Sequence, residues 1–285
     1  MTTTRFVFLA DTQLGAYATF SGLTEEEAAA FLVRGMRVSS VPRVHGHDWD
    51  AIRYRAAVDA VNALEPSFVV IGGDMIDDAS SQEQLDELLD ISAQFDSSIQ
   101  VHWAPGNHDI ATDSVAPTDE SIDHYRQVFG PDFYSFGVNG TRFIVMDTAV
   151  FDQPRYVPGH LEEQFAFLEE ELNGARGADH IVLFGHHPLF VEHADEPDTY
   201  WNIPRERRAR LLAMIHEHGV EIAFAGHLHR NAEAHDGTFH MVTSGPVGYP
   251  LGDDPSGFRI VEVGPDSITH EYHPLQMPDR PIKED

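Results

Sequence analysis

Apolar positions along the chain come in short unbroken runs, and amphipathic stretches separate them. Six of the runs cover residues 5–11, 67–74, 99–107, 141–148, 180–187 and 220–227. Strands of a parallel sheet are covered on both faces, so unbroken apolar runs predict buried parallel strands rather than half-exposed ones. The pattern therefore predicts a buried, mostly parallel sheet core.

The stretches between the runs carry helical signals. Apolar residues recur at helical spacing in residues 50–64, 81–95, 119–129, 161–173 and 204–218. Thr24 and Glu27 form a capping-box pattern, and Asn139-Gly140 is a strong hairpin signal. The last third adds FHMVTSG, FRIVEV and SITHEYH, which predict antiparallel strands. This order predicts an α/β fold, a four-layer α-β-β-α sandwich of two mixed β-sheets flanked by helices.

Domain organisation follows from the absence of a linker. We predict a single domain over residues 1–274 and a Pro-rich C-terminal tail over residues 275–285. Residues 15–50 form an unusually long connection that contains a predicted helix, and we interpret it as an insertion. Long insertions in compact domains are often lids, and a surface decoration explains the same length equally well.

Composition narrows the function classes. The 285 residues include 18 histidines and no cysteine, which excludes disulfides, thiolate catalysis and Cys-ligated zinc. The net charge is -29 and Lys283 is the only lysine, so the surface repels nucleic-acid phosphates and anionic membranes. The first apolar run is too short for a signal peptide, and no stretch is long enough for a membrane span. We therefore expect a cytoplasmic protein without nucleic-acid or membrane partners, and its oligomeric state stays open.

Polar side chains follow the ends of five predicted strands. They occur in Asp11-Thr12-Gln13, Gly73-Asp74, Gly106-Asn107-His108-Asp109, Gly185-His186-His187 and Gly226-His227-Leu228-His229. Each motif alone is typical of a helix cap, a turn or a satisfied polar residue. In α/β sheets, however, ligands bind at the carboxyl ends of the strands, and glycine lets the chain turn sharply there. Five such loops together favour one shared site.

The residue types in these loops suit divalent cations. Imidazole and carboxylate together favour Mn, Fe or Zn over Ca, while amide oxygens also suit harder ions such as Mg. Only two carboxylates, those of Asp11 and Asp74, contribute charge. Two divalent cations with a bridging hydroxide therefore leave a positive cluster, which is what a phosphate ester requires.

The motifs resemble the signature of calcineurin-like metallophosphoesterases, D-x-H, G-D, G-N-H-[DE], H and G-H-x-H, in the same order over residues 5–230. A closer resemblance is to the group of calcineurin-like phosphoesterase domain-containing protein 1, whose members are described as Ser/Thr protein phosphatases. It rests on A-D-x-Q-L-G at 10–15, G-N-H-D-I at 106–110, D-F-Y-S-F at 132–136, H-x-P-L-F at 186–190, G-H-x-H-R-N at 226–231 and L-G-x-D-P-x-G at 251–257.

The resemblance implies a role for each metal-site residue. Asp74 would bridge two divalent cations. Asp11, Gln13 and His229 would complete one site, and Asn107, His186 and His227 the other. Gln13 stands where most of the superfamily has histidine, and its amide oxygen is a harder, weaker ligand that favours Mn or Mg. Asp77 stands where purple acid phosphatases have tyrosine, so nothing in the sequence specifically requires ferric iron.

The resemblance also implies catalytic and substrate-binding residues. A metal-held hydroxide would attack phosphorus, and His108 would stabilise the transition state or protonate the leaving oxygen. Asp77, in preference to Asp109, would orient the His108 ring. Asn107 and His108 would contact the phosphoryl group, and Asn231 could also reach the substrate. The segment 195–205 would form a rim loop, and His187 would point away from the metals.

These predictions lead to a phosphomonoesterase that acts on phosphoproteins or phosphorylated small molecules. A phosphodiesterase acting on cyclic nucleotides or other diesters is the alternative within enzymes. A catalytically silent scaffold ranks lower, because every ligand position is filled by a competent residue. A nuclease is disfavoured by the net charge of -29. The one dense basic cluster, Arg205, Arg207, Arg208 and Arg210, is explained by the exposed face of a helix.

Overall fold

The structure is a computed structural model that describes residues 3–33, 35–39, 41–111 and 115–277. Its strands are β1 (Thr4–Leu9), β2 (Phe68–Gly72), β3 (Gln100–Ala104), β4 (Tyr134–Val138), β5 (Thr141–Val145), β6 (His180–Phe184), β7 (Ile222–Ala225), β8 (Ala232–Asp236), β9 (Phe239–Thr243), β10 (Gly257–Val263) and β11 (Ile268–Pro274). Its helices are α1 (Ala16–Phe20), α2 (Glu25–Val33), α3 (Asp48–Leu64), α4 (Gln82–Ser92), α5 (Asn107–Ile110), α6 (Asp119–Phe129), α7 (Thr148–Asp152), α8 (Pro158–Gly174) and α9 (Arg205–His218).

The strands form two mixed sheets. In the first, the order is β11-β10-β1-β2-β3, with β1, β2 and β3 parallel and Val7 opposite Val69. In the second, the order is β4-β5-β6-β7-β9-β8, with the four central strands parallel and both edge strands antiparallel. Because the central strands are parallel, their carboxyl ends point the same way within each sheet.

The side chains of β1 show how the layers pack. Phe6 and Phe8 face the second sheet, where the Phe6 ring meets Phe184 at 5.4 Å between centroids. Val7 and Leu9 face the opposite side and pack with α3 and α4. Both faces of the strand are therefore buried, which explains the unbroken apolar run. Helices α8 and α9 cover the outer face of the second sheet. The predicted α-β-β-α sandwich is confirmed.

Local signals in the sequence match the structure. The main-chain N–H of Thr24 donates to Glu27 Oε2 at 2.8 Å, and the N–H of Glu27 donates to Thr24 Oγ1 at 3.3 Å, so the capping box forms. Asn139 and Gly140 have φ values of 49° and 89° and join β4 to β5. Two successive left-handed residues are what a tight type I′ hairpin needs.

The connection 15–50 contains two short helices and the start of α3. Asp50 of α3 accepts hydrogen bonds from the N–H groups of Gly15 and Tyr17 at 3.0 and 3.4 Å. The guanidinium of Arg53 lies 4.2 Å from the centre of the Tyr17 ring. These contacts hold the start of the connection against α3, whereas α2 has no buried residue.

The predicted tail 275–285 is described only as far as residue 277, and its remaining residues lie outside the described part of the chain. Within the described residues, none of the helices combines the length and the apolar character that crossing a membrane requires.

Candidate active site

Carboxyl ends of strands from both sheets meet at one pole of the sandwich. Asp11 follows β1, Asp74 follows β2, His186 follows β6 and His227 follows β7. All four are at most 3 % exposed. The parallel arrangement of the central strands thus brings residues more than 200 positions apart into one buried cluster.

The backbone at this cluster is strained. Among the described residues, seven non-glycine residues have positive φ, and five of them are predicted ligands: Asp11, Gln13, Asp74, His227 and His229. Left-handed backbone costs about 1 kcal/mol or more for such residues and is concentrated at functional sites. The concentration of strain at these five positions marks the cluster as functional.

The cluster contains two groups of potential metal ligands. Asp74, His186 and His227 form one, and Asp11, Asp74 and His229 form the other, with the ligand atoms of each group within 4.8 Å of one another. His186 Nε2 lies 3.0 Å from Asp74 Oδ2, and His229 Nε2 lies 3.3 Å from Asp11 Oδ1. Asp74 belongs to both groups, which is the position the sequence predicted for a bridging residue.

Each histidine of the cluster is oriented by a main-chain carbonyl. His186 Nδ1 lies 2.9 Å from the carbonyl of Gly72, and His227 Nε2 lies 2.9 Å from that of Tyr200. His229 Nδ1 lies 2.5 Å from the carbonyl of Tyr249. A carbonyl only accepts hydrogen bonds, so these nitrogens carry the protons. The other nitrogen faces a carboxylate in His186 and His229 and faces His186 in His227, and each is a potential ligand, the usual arrangement for metal-bound histidine.

The protonation of the cluster follows from its charges. Burial alone would raise the pKa of Asp74, but His186 and His108 outweigh it and hold the pKa below its usual range. Burial alone would lower the pKa of His186, but Asp74 and Asp11 raise it to about 9. Burial, reinforced by His186, lowers the pKa of His227 to about 3. Without a metal, the cluster therefore holds a proton on His186, and cation binding would release it.

Two further features fit bound cations. His227 Nδ1 and His186 Nε2 lie 3.2 Å apart, and two ring nitrogens that face each other require a proton or a cation between them. The side-chain Oε1 of Gln13 is buried without a hydrogen-bond partner among the described residues. A buried oxygen of this kind costs free energy unless a cation or donor meets it. The donor set of carboxylate, imidazole and amide thus fits a pair of divalent cations.

Glycine lets two of the loops approach each other closely. A Cβ at Gly106 would lie 2.2 Å from Asp74 Oδ1, and one at Gly226 would lie 2.5 Å from Asp11 Oδ2. Both contacts are far below van der Waals distance. The glycines in the sequence motifs therefore give the carboxylates room to reach the cluster.

Asp109 fastens the loop after β3 to the loop after β2. Its carboxylate accepts hydrogen bonds from the N–H groups of Gly106, Asp74 and Met75 at 2.7, 2.8 and 2.9 Å. Asp109 is therefore engaged with the main chain.

His108 lies at the edge of the cluster, with its side chain 19 % exposed. Its N–H donates to Asp74 Oδ1 at 2.8 Å, and its ring Nδ1 lies 2.7 Å from the main-chain carbonyl of Asp77. The nearest carboxylate oxygen of Asp77 is 3.8 Å from the same nitrogen. At this nitrogen the main-chain carbonyl of Asp77 is therefore closer than the carboxylate to which the sequence analysis gave the orienting role.

Thr148 supports the cluster and was not predicted. Its Oγ1 accepts hydrogen bonds from the N–H groups of His186 and His187 at 2.9 and 2.8 Å. Its side chain lies at the start of α7, a five-residue helix without a periodic signal in the sequence. The ring of His187 lies beside Thr148 and packs against His227, 4.3 Å between centroids.

Asn231 lies near the cluster, but its side chain is engaged elsewhere. Its Oδ1 accepts hydrogen bonds from the N–H of Gly245 at 3.0 Å and from Arg259 at 2.8 Å. Asn231 is not among the described residues that line the cavity above the cluster. Asn107 is buried and begins α5, directly after Gly106, and its role as a metal ligand stays a prediction.

A cavity of about 110 Å³ opens above the cluster. Its floor and sides carry Gln13, Asp74, Asp77, His108, His227 and His229. Apart from Thr19, the rest of its lining is apolar and aromatic and forms the mouth, with Phe20, Phe31, Met36, Tyr200, Trp201 and Leu251. The rim loop 195–205 was expected at this site, and the connection 15–50, for which a lid and a surface decoration were both open, contributes Phe20, Phe31 and Met36 to the lining.

A family model described as calcineurin-like phosphoesterase matches residues 4–231. The human protein described as serine/threonine-protein phosphatase CPPED1 is 34% identical over 252 residues, which cover 84% of this chain and 79% of that protein. A dimetal phosphatase from Danio rerio has a similar fold, with a TM-score of 0.62 at 16% identity over 96% of this chain and 99% of that one. A purple acid phosphatase from Lupinus luteus also has a similar fold, with a TM-score of 0.63 at 16% identity over 98% of this chain and 53% of that one.

Proposed function

The chain belongs to the calcineurin-like phosphoesterase family and is a phosphoric ester hydrolase, and we propose that it is a phosphomonoesterase that depends on two divalent cations. One observation carries the proposal. Two ligand groups share Asp74 at the closed end of a cavity that His108 lines. The similarity to proteins described as Ser/Thr phosphatases supports phosphoproteins among the substrates.

The two ligand groups and the family resemblance together support an assignment of the residues that would hold the cations. Asp11, Gln13, Asp74 and His229 would hold one, and Asp74, Asn107, His186 and His227 the other. When bound, the cations would neutralise phosphoryl oxygens and lower the pKa of a coordinated water. The orienting carbonyls would keep the histidine rings in place while the charge of the cluster changes.

His108 would act on the leaving oxygen. Its Nδ1 donates to the carbonyl of Asp77, so only the doubly protonated ring carries a second proton on Nε2, and this proton would pass to the leaving oxygen when the phosphorus–oxygen bond breaks. Its main-chain N–H donates a hydrogen bond to Asp74, and this bond fixes His108 beside the cluster. A protonated ring at this position would also stabilise the negative charge that builds up on the phosphoryl oxygens.

The proposal is tested with protein reconstituted with Mn²⁺, Fe²⁺, Zn²⁺ or Mg²⁺. We expect p-nitrophenyl phosphate to be hydrolysed faster than bis(p-nitrophenyl) phosphate, and a phosphoserine or phosphothreonine peptide to be hydrolysed as well. His108→Asn should lower kcat by about 10²- to 10³-fold and leave the metal content unchanged. His216→Asn is the matched control, because His216 is an exposed histidine that pairs with Asp236 at the surface.

Two outcomes would contradict the proposal. Faster turnover of the diester would identify a phosphodiesterase instead. Protein that binds fewer than two cations and hydrolyses no phosphate ester would identify a scaffold.

A further inference from the structure

The mouth of the cavity is apolar, although binding a phosphoryl group at the floor requires no apolar residues. Six residues, Phe20, Phe31, Met36, Tyr200, Trp201 and Leu251, form what we call the apolar wall. Phosphate recognition alone would need donors and positive charge here. Of the described residues that line the cavity, however, none is Lys or Arg. The apolar wall therefore faces the part of the substrate that lies beyond the phosphoryl group.

The apolar wall is built from three parts of the chain, the connection 15–50, the loop after β6 and, with Leu251, the segment between β9 and β10. Phe20, Phe31 and Met36 come from the connection 15–50, and the rings of Phe20 and Phe31 meet edge to face at 5.4 Å. Trp201 comes from the loop after β6, and its indole nitrogen would lie 3.3 Å from a Cβ at Gly35. The wall thus closes over the site from two sides.

The rim-loop part of the apolar wall is fixed to the cluster itself. The carbonyl of Tyr200 accepts a hydrogen bond from His227, and the Tyr200 ring lies 4.8 Å from the His227 ring. Asn202, two residues further on, is 1 % exposed and accepts a hydrogen bond from the N–H of Thr199 at 3.0 Å. A wall held in this way is ordered before substrate arrives, which lowers the entropy cost of binding.

The lining of the cavity decides where an apolar group would lie. Asp74, His227 and His229 belong to the metal-ligand cluster, so a phosphoryl group would lie against them. Most of the other lining residues belong to the apolar wall. A ring attached through a short linker would therefore lie on the apolar wall at the mouth, with one face covered and the other in water.

We propose that the apolar wall binds an aromatic group of the substrate, so that the protein prefers phosphomonoesters whose alcohol carries an aromatic ring close to the ester oxygen. This inference rests on the proposed phosphomonoesterase function. Burying one face of the substrate ring against the apolar wall should raise kcat/KM about tenfold, which corresponds to ~1.4 kcal/mol.

The test compares 2-phenylethyl phosphate with ethyl phosphate on the metal-reconstituted protein. The two leaving alcohols have similar reactivity, because the ring lies two carbons from the ester oxygen, so their ratio reports contact with the ring. We expect kcat/KM to be about tenfold higher for 2-phenylethyl phosphate. Phe31→Ala should move the ratio towards one.

A matched control lies on the same helix. Leu32 is 59% exposed and does not line the cavity, so Leu32→Ala should leave the ratio unchanged. Phe31 is partly buried and packs against the cluster that includes Tyr17 and Leu251, so thermal unfolding of both variants checks that Phe31→Ala stays folded at the assay temperature. A second measurement, isothermal titration calorimetry with 2-phenylethylphosphonate and ethylphosphonate, needs no turnover and should show the same preference in Kd.

The outcomes separate the two proposals. Equal kcat/KM for the two esters, or equal Kd for the two phosphonates, would overturn the aromatic preference while the phosphomonoesterase stands. A Phe31→Ala ratio equal to that of Leu32→Ala would also overturn it. A preference in phosphonate binding without turnover of any monoester would support the apolar wall and contradict the phosphomonoesterase.

Discussion

Asp77 offers the site two different acceptors. Its main-chain carbonyl takes the hydrogen bond from His108, while its carboxylate accepts hydrogen bonds from Gln13 Nε2 at 3.0 Å and Thr19 Oγ1 at 2.8 Å. The carbonyl therefore orients the His108 ring, and the carboxylate supports Gln13. A substitution at position 77 can therefore distinguish them.

We expect Asp77→Asn to lower kcat less than about tenfold, because the main-chain carbonyl stays in place and hydrogen bonds of this kind contribute ~1 kcal/mol. Steady-state kinetics on p-nitrophenyl phosphate measures the effect. Asp78→Asn, an exposed neighbour, is the control. A loss of a hundredfold or more would show that the carboxylate, rather than the carbonyl, orients His108.

His102 is a buried histidine outside the site. Its ring stacks on Phe136 at 3.7 Å between centroids, and its Nε2 has no hydrogen-bond partner among the described residues. Burial lowers the pKa of His102 from 6.5 to about 4. The unfolded chain therefore binds a proton near pH 5 that the folded protein does not, so the stabilising effect of a neutral His102 is lost as the pH falls from 6.5 towards 4.

The expected size of this effect is about 2 kcal/mol of unfolding free energy between pH 7.5 and pH 5. His102→Phe should remove that part of the pH dependence, and urea unfolding at the two pH values measures it. His193→Gln, a change at an exposed histidine, should keep the slope of the unmodified protein. An identical slope for His102→Phe would show that His102 is protonated in the folded state.

At the scale of single residues, the sequence predicted which side chains would meet but not what orients them. Asp11, Asp74, His186, His227 and His229 follow strand ends and carry a recognisable pattern, and the structure brings them together. Their roles as metal ligands stay predictions. The orienting acceptors are main-chain carbonyls of residues 72, 200 and 249, and any residue type supplies such a group. The sequence therefore contains no signal for them.

At the scale of elements, the approach of the loop after β3 to the loop after β2 depends on Gly106. We expect Gly106→Ala to push the loops apart, since its Cβ would lie 2.2 Å from Asp74 Oδ1. Metal affinity should fall roughly 10- to 100-fold, measured by competition with a chelator. Gly159→Ala is the control, because a Cβ at Gly159 meets nothing within 4 Å. Unchanged affinity in Gly106→Ala would contradict the proposed role of Asp74 as a shared ligand.

Element length explains which elements the sequence predicted. The predicted helix 119–129 coincides with α6, and 204–218 differs from α9 by one residue. Helices α1, α5 and α7 have five, four and five residues, too few for a helical period to appear. Two of these short helices, α5 and α7, carry His108 and Thr148, so the site depends on elements that periodicity cannot detect.

At the scale of the whole molecule, the cluster joins the two sheets. Asp11 and Asp74 belong to the first sheet and His186 and His227 to the second, so a cation held by both would bind only the folded arrangement. With Mn²⁺ about a hundredfold above its Kd, we expect Tm to rise by about 5–10 °C over chelator-treated protein. Differential scanning calorimetry measures the shift. The control variant His216→Asn should retain the shift, and His186→Asn should lose most of it. No shift in the unmodified protein would contradict a cation site between the sheets.

The sandwich itself was predictable because apolar runs and helical spacing alternate along the chain in a regular way. The strand order within each sheet was not. The antiparallel return of β8 beside β9, at the edge of the second sheet, depends on tertiary packing and not on local spacing.

The carbonyl-anchored histidines have a consequence for how the protein tolerates mutation. A carbonyl survives any exchange of the side chain on its residue, so positions 200 and 249 can change identity without removing the acceptor for His227 or His229. Only changes that bend the backbone itself would disturb the rings. Sequence drift around the pole should therefore leave the geometry of the imidazoles intact, whereas an insertion or deletion of one residue in these loops should destroy it.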